Sequence, residues 1–282
     1  MVLTSQRTIY GVKLQTAMVT GKPYTIKPNT TLNEKFEILK DTAVITLEKG
    51  FYPEINYFCI GNGGSTLASG VKGYTYSRHS ALDAALFNHI PFVLRDVNND
   101  LTGTDKDRYR FKKLINIEGK DYYAYFLKKI TTIDVPSDLY IVNKLGTDHK
   151  LSLFSTNVKE LLNPVPIDKS ELIDRTDESA FIVSLAKIHF ALEAEDLKEL
   201  ENVYKILKIE NTPITEVGIC SGTDTTYRPI GNTASYTEAM NVQIVFHVGT
   251  NLDVATKFGT SGHIRRNIEV GGSEPYYIGM KW

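Results

Sequence analysis

The motif Gly218-Ile219-Cys220-Ser221-Gly222 has the spacing of a nucleophile elbow, with cysteine as the nucleophile. Such an elbow needs a helix directly after the nucleophile, and a catalytic thiolate needs a neighbouring base. Residues 223–229 instead have the composition of a loop, and the sequence places no histidine beside Cys220. We therefore expect Cys220, like the distant Cys59, to be a reduced thiol buried in an apolar strand. A hydrolase that uses Cys220 is kept as an alternative.

His79 and Asp83 form a second pair whose spacing suits chemistry. They stand four residues apart and would share one face of a helix over Ala81–His89, extended back by one turn. A zinc site needs three or four ligands, and neither His-Glu-x-x-His nor Cys-x-x-Cys occurs in the sequence. We interpret His79 as a polar histidine near a helix start. The remaining histidines are single and are expected to be packed or on the surface: His89, His149, His189, His247 and His263.

Two further patterns are similar to phosphate-binding segments. The loop Gly61–Gly73 holds five glycines in thirteen residues, but it lacks both the Lys-Ser or Lys-Thr pair of a P-loop and the spacing of a dinucleotide fingerprint. The run Arg108–Lys113 alternates basic and aromatic residues, but Asp105 and Asp107 offset its charge. We expect a mobile or interface loop in the first case and a loop or edge strand in the second. The sequence thus predicts no catalytic, cofactor-binding or metal-ligating residue.

Composition excludes several classes of protein. The 282 residues are 42% hydrophobic and 23% charged, which is typical of a folded globular chain. Thirty-two basic against thirty-three acidic residues give a net charge of −1, so no overall field attracts nucleic acid or an anionic membrane. No signal peptide is apparent, and the longest apolar stretch, Phe181–Leu192, is too short to span a membrane. We expect no nucleic-acid, membrane or small-molecule partner.

The elements that must position these residues are mostly strands, because Val, Ile, Tyr, Phe and Thr recur with period two between Gly, Pro, Asn and Asp. The sequence therefore predicts a mainly β (α+β) fold with antiparallel, sandwich-like sheets and long loops. One face of the last predicted strand is expected to be buried. The predicted strands are Phe36–Leu39, Ala43–Leu47, Ile55–Ile60, Tyr122–Ile130, Leu139–Val142, Phe181–Leu192, Ile214–Cys220 and Asn241–Val248.

The clearest helix is Glu195–Leu207, where apolar residues fall three or four apart. Its carboxylates, Asp196 among them, are expected on a solvated face. Ala81–His89 is a weaker helix, and Arg95–Arg110 is a second surface loop. The proline-rich, charged stretch Asn163–Glu178 is the best boundary between an N-terminal half, residues 1–165, and a C-terminal half, residues 175–282. One intertwined domain is the alternative.

The C-terminal half carries a recognisable arrangement. The strand Lys187–Leu192 leads through the predicted helix to Ile214–Cys220, and a polar loop then leads to Ser235–Val248. This arrangement resembles the closing part of a baseplate wedge protein of contractile-tailed, T4-like bacteriophages, the wedge subunit that forms a homodimer. Pro53–Gly61 and Tyr122–Leu127 are similar to two earlier strands of that family and fall in the same order.

The chain departs from the family's pattern in three places. These are the loop Gly61–Gly73, the segment Ser77–Asp83 and the tail beyond Gly249. None of the similar patches is a catalytic signature. Because of these departures, the resemblance does not extend to the exact place of the subunit in the tail.

The resemblance implies a structural role. It implies a virion protein of the tail baseplate that acts by protein–protein assembly, as a homodimer in contact with other baseplate or tail proteins, without enzymatic activity or cofactor. Such a subunit is assembled in the host cytoplasm and resides in the virion tail. A neck, collar or other tail component is the nearest alternative. A carbohydrate- or receptor-binding β module is a further one.

Overall fold

The computed structural model describes residues 4–26, 36, 45–67, 74–76, 79–134, 139–145, 148–153, 180–209, 212–227, 235–259 and 262–275. The chain divides into two compact units. The first combines Met1–Thr131 with Phe190–Arg266, and the second combines Thr132–His189 with Asn267–Trp282. Each unit is therefore built from two separate stretches of sequence. The boundary expected within residues 163–178 lies outside the described residues.

The fold is mainly β, as the sequence predicts. The first unit contains an eight-stranded sheet in the order β1-β16-β15-β4-β10-β8, in which β7 also pairs with β4 and β9 with β10. Neighbouring strands in this sheet are antiparallel. Its strands are β1 (Thr4–Arg7), β4 (Glu54–Gly61), β7 (His89–Ile90), β8 (Val93–Asp96), β9 (Tyr109–Ile117), β10 (Lys120–Lys129), β15 (Ile214–Tyr227) and β16 (Tyr236–Leu252).

The remaining described strands form two two-stranded sheets and the sheet of the second unit. Two-stranded sheets join β2 to β3 and β5 to β6. The second unit contains a sheet in the order β11-β14-β12-β13, with β17 paired to β14. The bounds are β2 (Tyr24–Ile26), β3 (Ile45–Leu47), β5 (Ser65–Leu67), β6 (Tyr74–Tyr76), β11 (Thr132–Asp134), β12 (Leu139–Leu145), β13 (Asp148–Leu153), β14 (Ala180–Leu192) and β17 (Ile264–Pro275).

Seven of the eight predicted strands overlap observed ones, with boundaries that shift by a few residues. Of Phe36–Leu39, only Phe36 lies within the described residues. The strand pair β15–β16 is longer than predicted and pairs from Ile214 with Leu252 to Tyr227 with Tyr236. One face of β16 was expected to be buried, but side chains on both faces are. Gln243, Val245 and His247 are buried on one face, and Val242, Ile244 and Val248 on the other.

An N-terminal helix, α1 (Ile9–Thr20), was not predicted, and it covers part of β16. The Thr8 hydroxyl accepts a hydrogen bond from the Gly11 N–H at 3.1 Å and donates one to the Ile244 carbonyl at 2.7 Å, so it caps the helix and ties it to the sheet. Gly11 allows close contact, because a Cβ there would lie 2.5 Å from the Val245 carbonyl oxygen. The helix ends at Gly21, which has a left-handed φ of 63°.

The amphipathic helix predicted over residues 195–207 is confirmed as α3 (Ala194–Ile206). Its start is fixed by a capping box between Glu193 and Asp196. Asp196 is fully buried, so the expectation of a solvated carboxylate there is wrong. The loop expected over residues 95–110 contains a short helix, α2 (Gly103–Arg108). Among the described residues, no helix has the length and apolar character needed to cross a membrane.

The helix predicted over Ala81–His89 is wrong. These residues form turns that lead into β7. Their backbone groups bond to partners distant in sequence: the Ala81 carbonyl accepts from the Ile9 N–H at 2.7 Å, and the Phe87 N–H donates to the Glu216 carboxylate at 2.8 Å. Such tertiary hydrogen bonds replace the i→i−4 bonds that a helix would need.

Candidate functional site

The densest group of chemically versatile side chains surrounds Glu216 on β15. Glu216 is 3% exposed and lies opposite Gly61 of β4 and Gly249 of β16 in the sheet. Its carboxylate accepts hydrogen bonds from the backbone N–H groups of Gly63, Phe87 and Asn88 at 2.7, 2.8 and 3.2 Å. The carboxylate therefore joins two separate loops to one strand.

The glycine-rich loop makes this contact possible. A Cβ on Gly61 would lie 2.8 Å from the Glu216 carboxylate, and a Cβ on Gly63 would lie 2.6 Å from the Asn88 nitrogen. Gly64 adopts a left-handed φ of 66° directly beside the Phe87 ring. The loop's backbone thus binds an anion, as its composition allows, but that anion is a carboxylate of the same chain.

His79 supplies a further hydrogen bond to Glu216. Its Nε2 lies 2.7 Å from Glu216 Oε2, and its Nδ1 lies 3.1 Å from Asp83 Oδ2. The ring is stacked between those of Phe87 and His247, with centroids 4.1 and 3.9 Å away. Both nitrogens can donate to the carboxylates only when the imidazole carries two protons. We call His79, Asp83, Glu216 and His247 the histidine cluster.

His247, on β16, is almost completely buried. Its Nε2 lies 3.1 Å from the Asp83 backbone carbonyl, which can only accept, so this nitrogen is the donor. Its Nδ1 is buried without a hydrogen-bond partner in the described structure. Burial, together with the adjacent His79, lowers the pKa of His247 to about 4. His247 is therefore neutral at neutral pH.

Burial alone would raise the pKa of Glu216, but the hydrogen bonds from His79 and from the backbone of Phe87, Asn88 and Gly63 outweigh it. The net effect is a pKa below the usual value for a glutamate. A buried anion held by several donors is an anchor for the groups that donate to it. The cluster consequently fixes residues 79–88, which we call the 79–88 loop.

A second buried carboxylate, on β16, is held in a similar way. Glu238 accepts hydrogen bonds from the backbone N–H groups of Phe111, Lys112 and Ala239 at 2.5, 3.0 and 2.8 Å. Phe111 has a left-handed φ of 63°, which directs two successive N–H groups at the carboxylate. Burial raises the pKa of Glu238 in spite of these bonds.

The basic run predicted to be a loop or edge strand begins with Arg108 at the end of α2 and continues in β9, and it forms internal ion pairs. Arg110 binds Asp224 through two hydrogen bonds of 2.9 and 3.0 Å. Lys112 pairs with Asp100 at 2.5 Å, and Arg108 pairs with the buried Asp196 at 2.9 Å. These cations are committed to carboxylates of the same chain.

The structure places Cys220 and Cys59 on adjacent strands as free, buried thiols whose sulfurs lie 3.8 Å apart. This confirms the prediction of strand thiols. Burial raises the pKa of Cys220 well above its usual value, which suppresses the reactive thiolate. Within the described residues, no group of three or more His, Cys, Asp or Glu side chains is arranged to hold a metal ion.

Comparison with known proteins adds one relationship. The chain belongs to the family of unknown function DUF7208. The profile of that family matches residues 2–281, nearly the whole sequence. No curated protein matches the chain, and no solved structure does.

The sequence pattern pairs His79 with Asp83, although through a helix that the structure does not contain. It does not identify Glu216 and His247 as their neighbours. The signal available was a charged or polar residue within an otherwise apolar strand, as in Ile214-Thr215-Glu216-Val217 and Val245-Phe246-His247-Val248. Buried glutamates and histidines in such strands require partners. Which groups serve as these partners could not be predicted from the sequence, because it depends on where the 79–88 loop lies in the fold.

Proposed function

We propose that this protein is a structural component of a bacteriophage virion, a tail baseplate wedge subunit that acts by protein–protein assembly. The support from the sequence is the order of strands and helix that resembles the homodimeric wedge family. The support from the structure is the way polar and apolar side chains are distributed. Buried charged groups hold loops in place, while large apolar side chains face solvent.

The observation that carries this proposal is the outer face of α1. Val12, Met18 and Val19 are 42%, 47% and 80% exposed. Lys13 is the one charged side chain in the helix, and the Thr16 and Thr20 hydroxyls donate to the Val12 and Thr16 carbonyls within it. The exposed side of α1 thus combines these three apolar side chains with Lys13, Gln15, Thr16 and Thr20. We propose that another protein covers its apolar part.

We assign this face to a second copy of the chain. Lys13 is the one charge on α1, so the face offers no charge pattern that would demand a partner of complementary charge, and a second copy is a compatible partner. The adjoining β1 is an end strand of the eight-stranded sheet, and antiparallel pairing of β1 with its own two-fold copy would set Arg7 opposite Thr4. We propose that the helix face and this edge, the end of the sheet among the described strands, take part in the same two-fold contact.

Contacts with other tail proteins are assigned to the 79–88 loop. Leu82 and Phe87 in this loop are 72% and 48% exposed, although the loop backbone is bonded to Glu216 and to Ile9. An apolar side chain on a fixed backbone loses little conformational entropy when a partner binds it. The loop therefore suits heterologous contacts of an ordered subunit.

Sedimentation equilibrium tests the assembly surface. We expect the full chain to have twice its monomer mass, and the Val19→Glu variant to have the monomer mass, because a buried unpaired carboxylate opposes association. Leu114→Glu is the matched control, since Leu114 on β9 is 55% exposed and lies outside α1. It should leave the mass unchanged. A monomeric wild-type chain, or a dimer unaffected by Val19→Glu, would overturn the assignment.

A further inference from the structure

The 79–88 loop is attached to the sheet through groups that respond to protons. Glu216 of β15 binds the Phe87 and Asn88 N–H groups and the His79 ring, and His247 of β16 binds the Asp83 carbonyl. The loop has no helix or strand of its own before His89. Its conformation therefore depends on the ionisation states of the histidine cluster.

Two imidazoles in this cluster are stacked face to face, with centroids 3.9 Å apart and an angle of 7° between their planes. His79 has a carboxylate at each ring nitrogen, Asp83 at Nδ1 and Glu216 at Nε2. His247 differs, because its Nε2 already donates to a carbonyl and its buried Nδ1 faces no hydrogen-bond partner among the described residues.

A second proton on His247 has no favourable place in the closed cluster. It would create a buried N–H without an acceptor, and it would put a positive charge against the ring of His79. Asp83 and Glu216 are the acidic groups that act on His247, and both already bind His79. Protonation of His247 is therefore compatible only with an opened cluster.

We propose that the histidine cluster is an acid-operated latch, in which protonation of His247 releases the 79–88 loop from β15 and β16. When the loop is released, Leu82 and Phe87 are no longer held at fixed positions, and the Glu216 carboxylate becomes exposed to solvent. The latch is a property of the isolated chain, so it stands independently of the proposed place in a phage tail.

The direction of the pH effect follows from linkage. The pKa of His247 is about 4 in the closed state and returns toward the ordinary 6.5 when the loop opens and water reaches the ring. The open state then binds a proton that the closed state lacks, so falling pH favours opening by up to about tenfold per unit between these values. Above pH 6.5 the latch is closed with its full stability.

Amide hydrogen exchange on the full chain tests the latch. After correction for the intrinsic pH dependence of exchange, we expect protection of the Phe87 and Asn88 N–H groups to fall by about 30-fold from pH 8 to pH 5. Protection in α3 should persist at pH 5. A loop whose protection is independent of pH, or loses protection only together with α3, would overturn the proposal.

His247→Gln identifies the responsible group, since an amide can donate to the Asp83 carbonyl but does not titrate in this range. We expect this variant to keep its loop protection at pH 5. His189→Gln is the control, because His189 pairs with Asp134 in the other unit and should leave the loop's response as in the wild type. A His247→Gln variant that opens with acid as the wild type does would contradict the latch.

A measurement on the unaltered chain covers the case in which His247→Gln does not fold. Nuclear magnetic resonance titration should show the His247 ring neutral for as long as the loop is closed, with its second proton bound only when the Phe87 N–H has lost its protection. A His247 ring that binds its second proton while the Phe87 N–H keeps full protection would overturn the proposal.

Discussion

Buried carboxylates in this protein bind backbone N–H groups of loops. Glu216 and Glu238 each accept from two successive residues of a loop or strand start, Phe87 and Asn88 in one case and Phe111 and Lys112 in the other. Successive N–H groups of this kind form an anion-binding concavity. The chain fills both concavities with its own carboxylates, and thereby fixes the irregular 79–88 loop in one case and the start of β9 in the other.

Glu216→Gln tests the importance of this arrangement for stability. An amide keeps the size of the side chain but replaces one acceptor oxygen with a donor, which then faces backbone N–H groups or the His79 ring. We expect the free energy of unfolding in urea at pH 7 to fall by about 2–4 kcal/mol.

The matched control for Glu216→Gln is Glu201→Gln on α3. Glu201 pairs with Lys205 on the helix surface, and its loss should leave the free energy of unfolding almost unchanged, because solvent screens the pair. Equal effects of the two substitutions would show that the Glu216 carboxylate is not an anchor.

The sequence allows part of this residue-scale account to be predicted. Cys220 is recognisable as a strand thiol because its neighbours are apolar and alternate with period two. The contact of His79 with Asp83 follows from their short separation in sequence. The contact with Glu216 spans more than a hundred residues and depends on the register of β15 against β4. A slip of one residue would turn Glu216 to the other face of the sheet.

At the scale of elements, α1 depends on one close approach to the sheet. Gly11 packs where a Cβ would meet the Val245 carbonyl oxygen at 2.5 Å. Glycine to alanine normally stabilises a helix by up to about 1 kcal/mol. Here we expect Gly11→Ala to lower the free energy of unfolding by about 1–3 kcal/mol, because the helix must move away from β16.

Thr16→Ala provides the comparison within the same helix. Thr16 is exposed and its hydroxyl bonds only to the Val12 carbonyl one turn before it. Its replacement should change stability by less than about 0.5 kcal/mol in the same urea titration. A stabilising Gly11→Ala substitution would contradict the packing of α1 described above.

The helices show which elements local sequence determines. In α3, apolar spacing and the capping residues agree with the tertiary environment, so the prediction succeeds to within a residue at each end. In the segment 81–89, the helical pattern is weaker, and Glu216 and Ile9 bind its backbone groups instead. In α1, Val12, Met18 and Val19 are mixed with polar residues on the exposed side, so its amphipathic pattern is too weak to be recognised from sequence.

At the scale of the whole molecule, two features lie beyond sequence reasoning. The first is the division into units, each formed by stretches separated by more than fifty residues, because long-range strand pairing leaves no local signal. The second is the exposure of Val12, Met18 and Val19 on α1, which can be recognised only when the buried face of the helix is known. Mainly β construction and near-zero net charge are readable from composition and periodicity alone.

The central claim is that this chain is built to be assembled into a phage tail. The most direct test of this proposal is immunogold electron microscopy of phage particles, with antibody raised against the full chain. The account predicts gold at the distal end of the tail, where the baseplate lies. Gold at the head–tail junction would contradict the baseplate assignment, and absence of gold from disrupted particles would contradict a structural role in the virion.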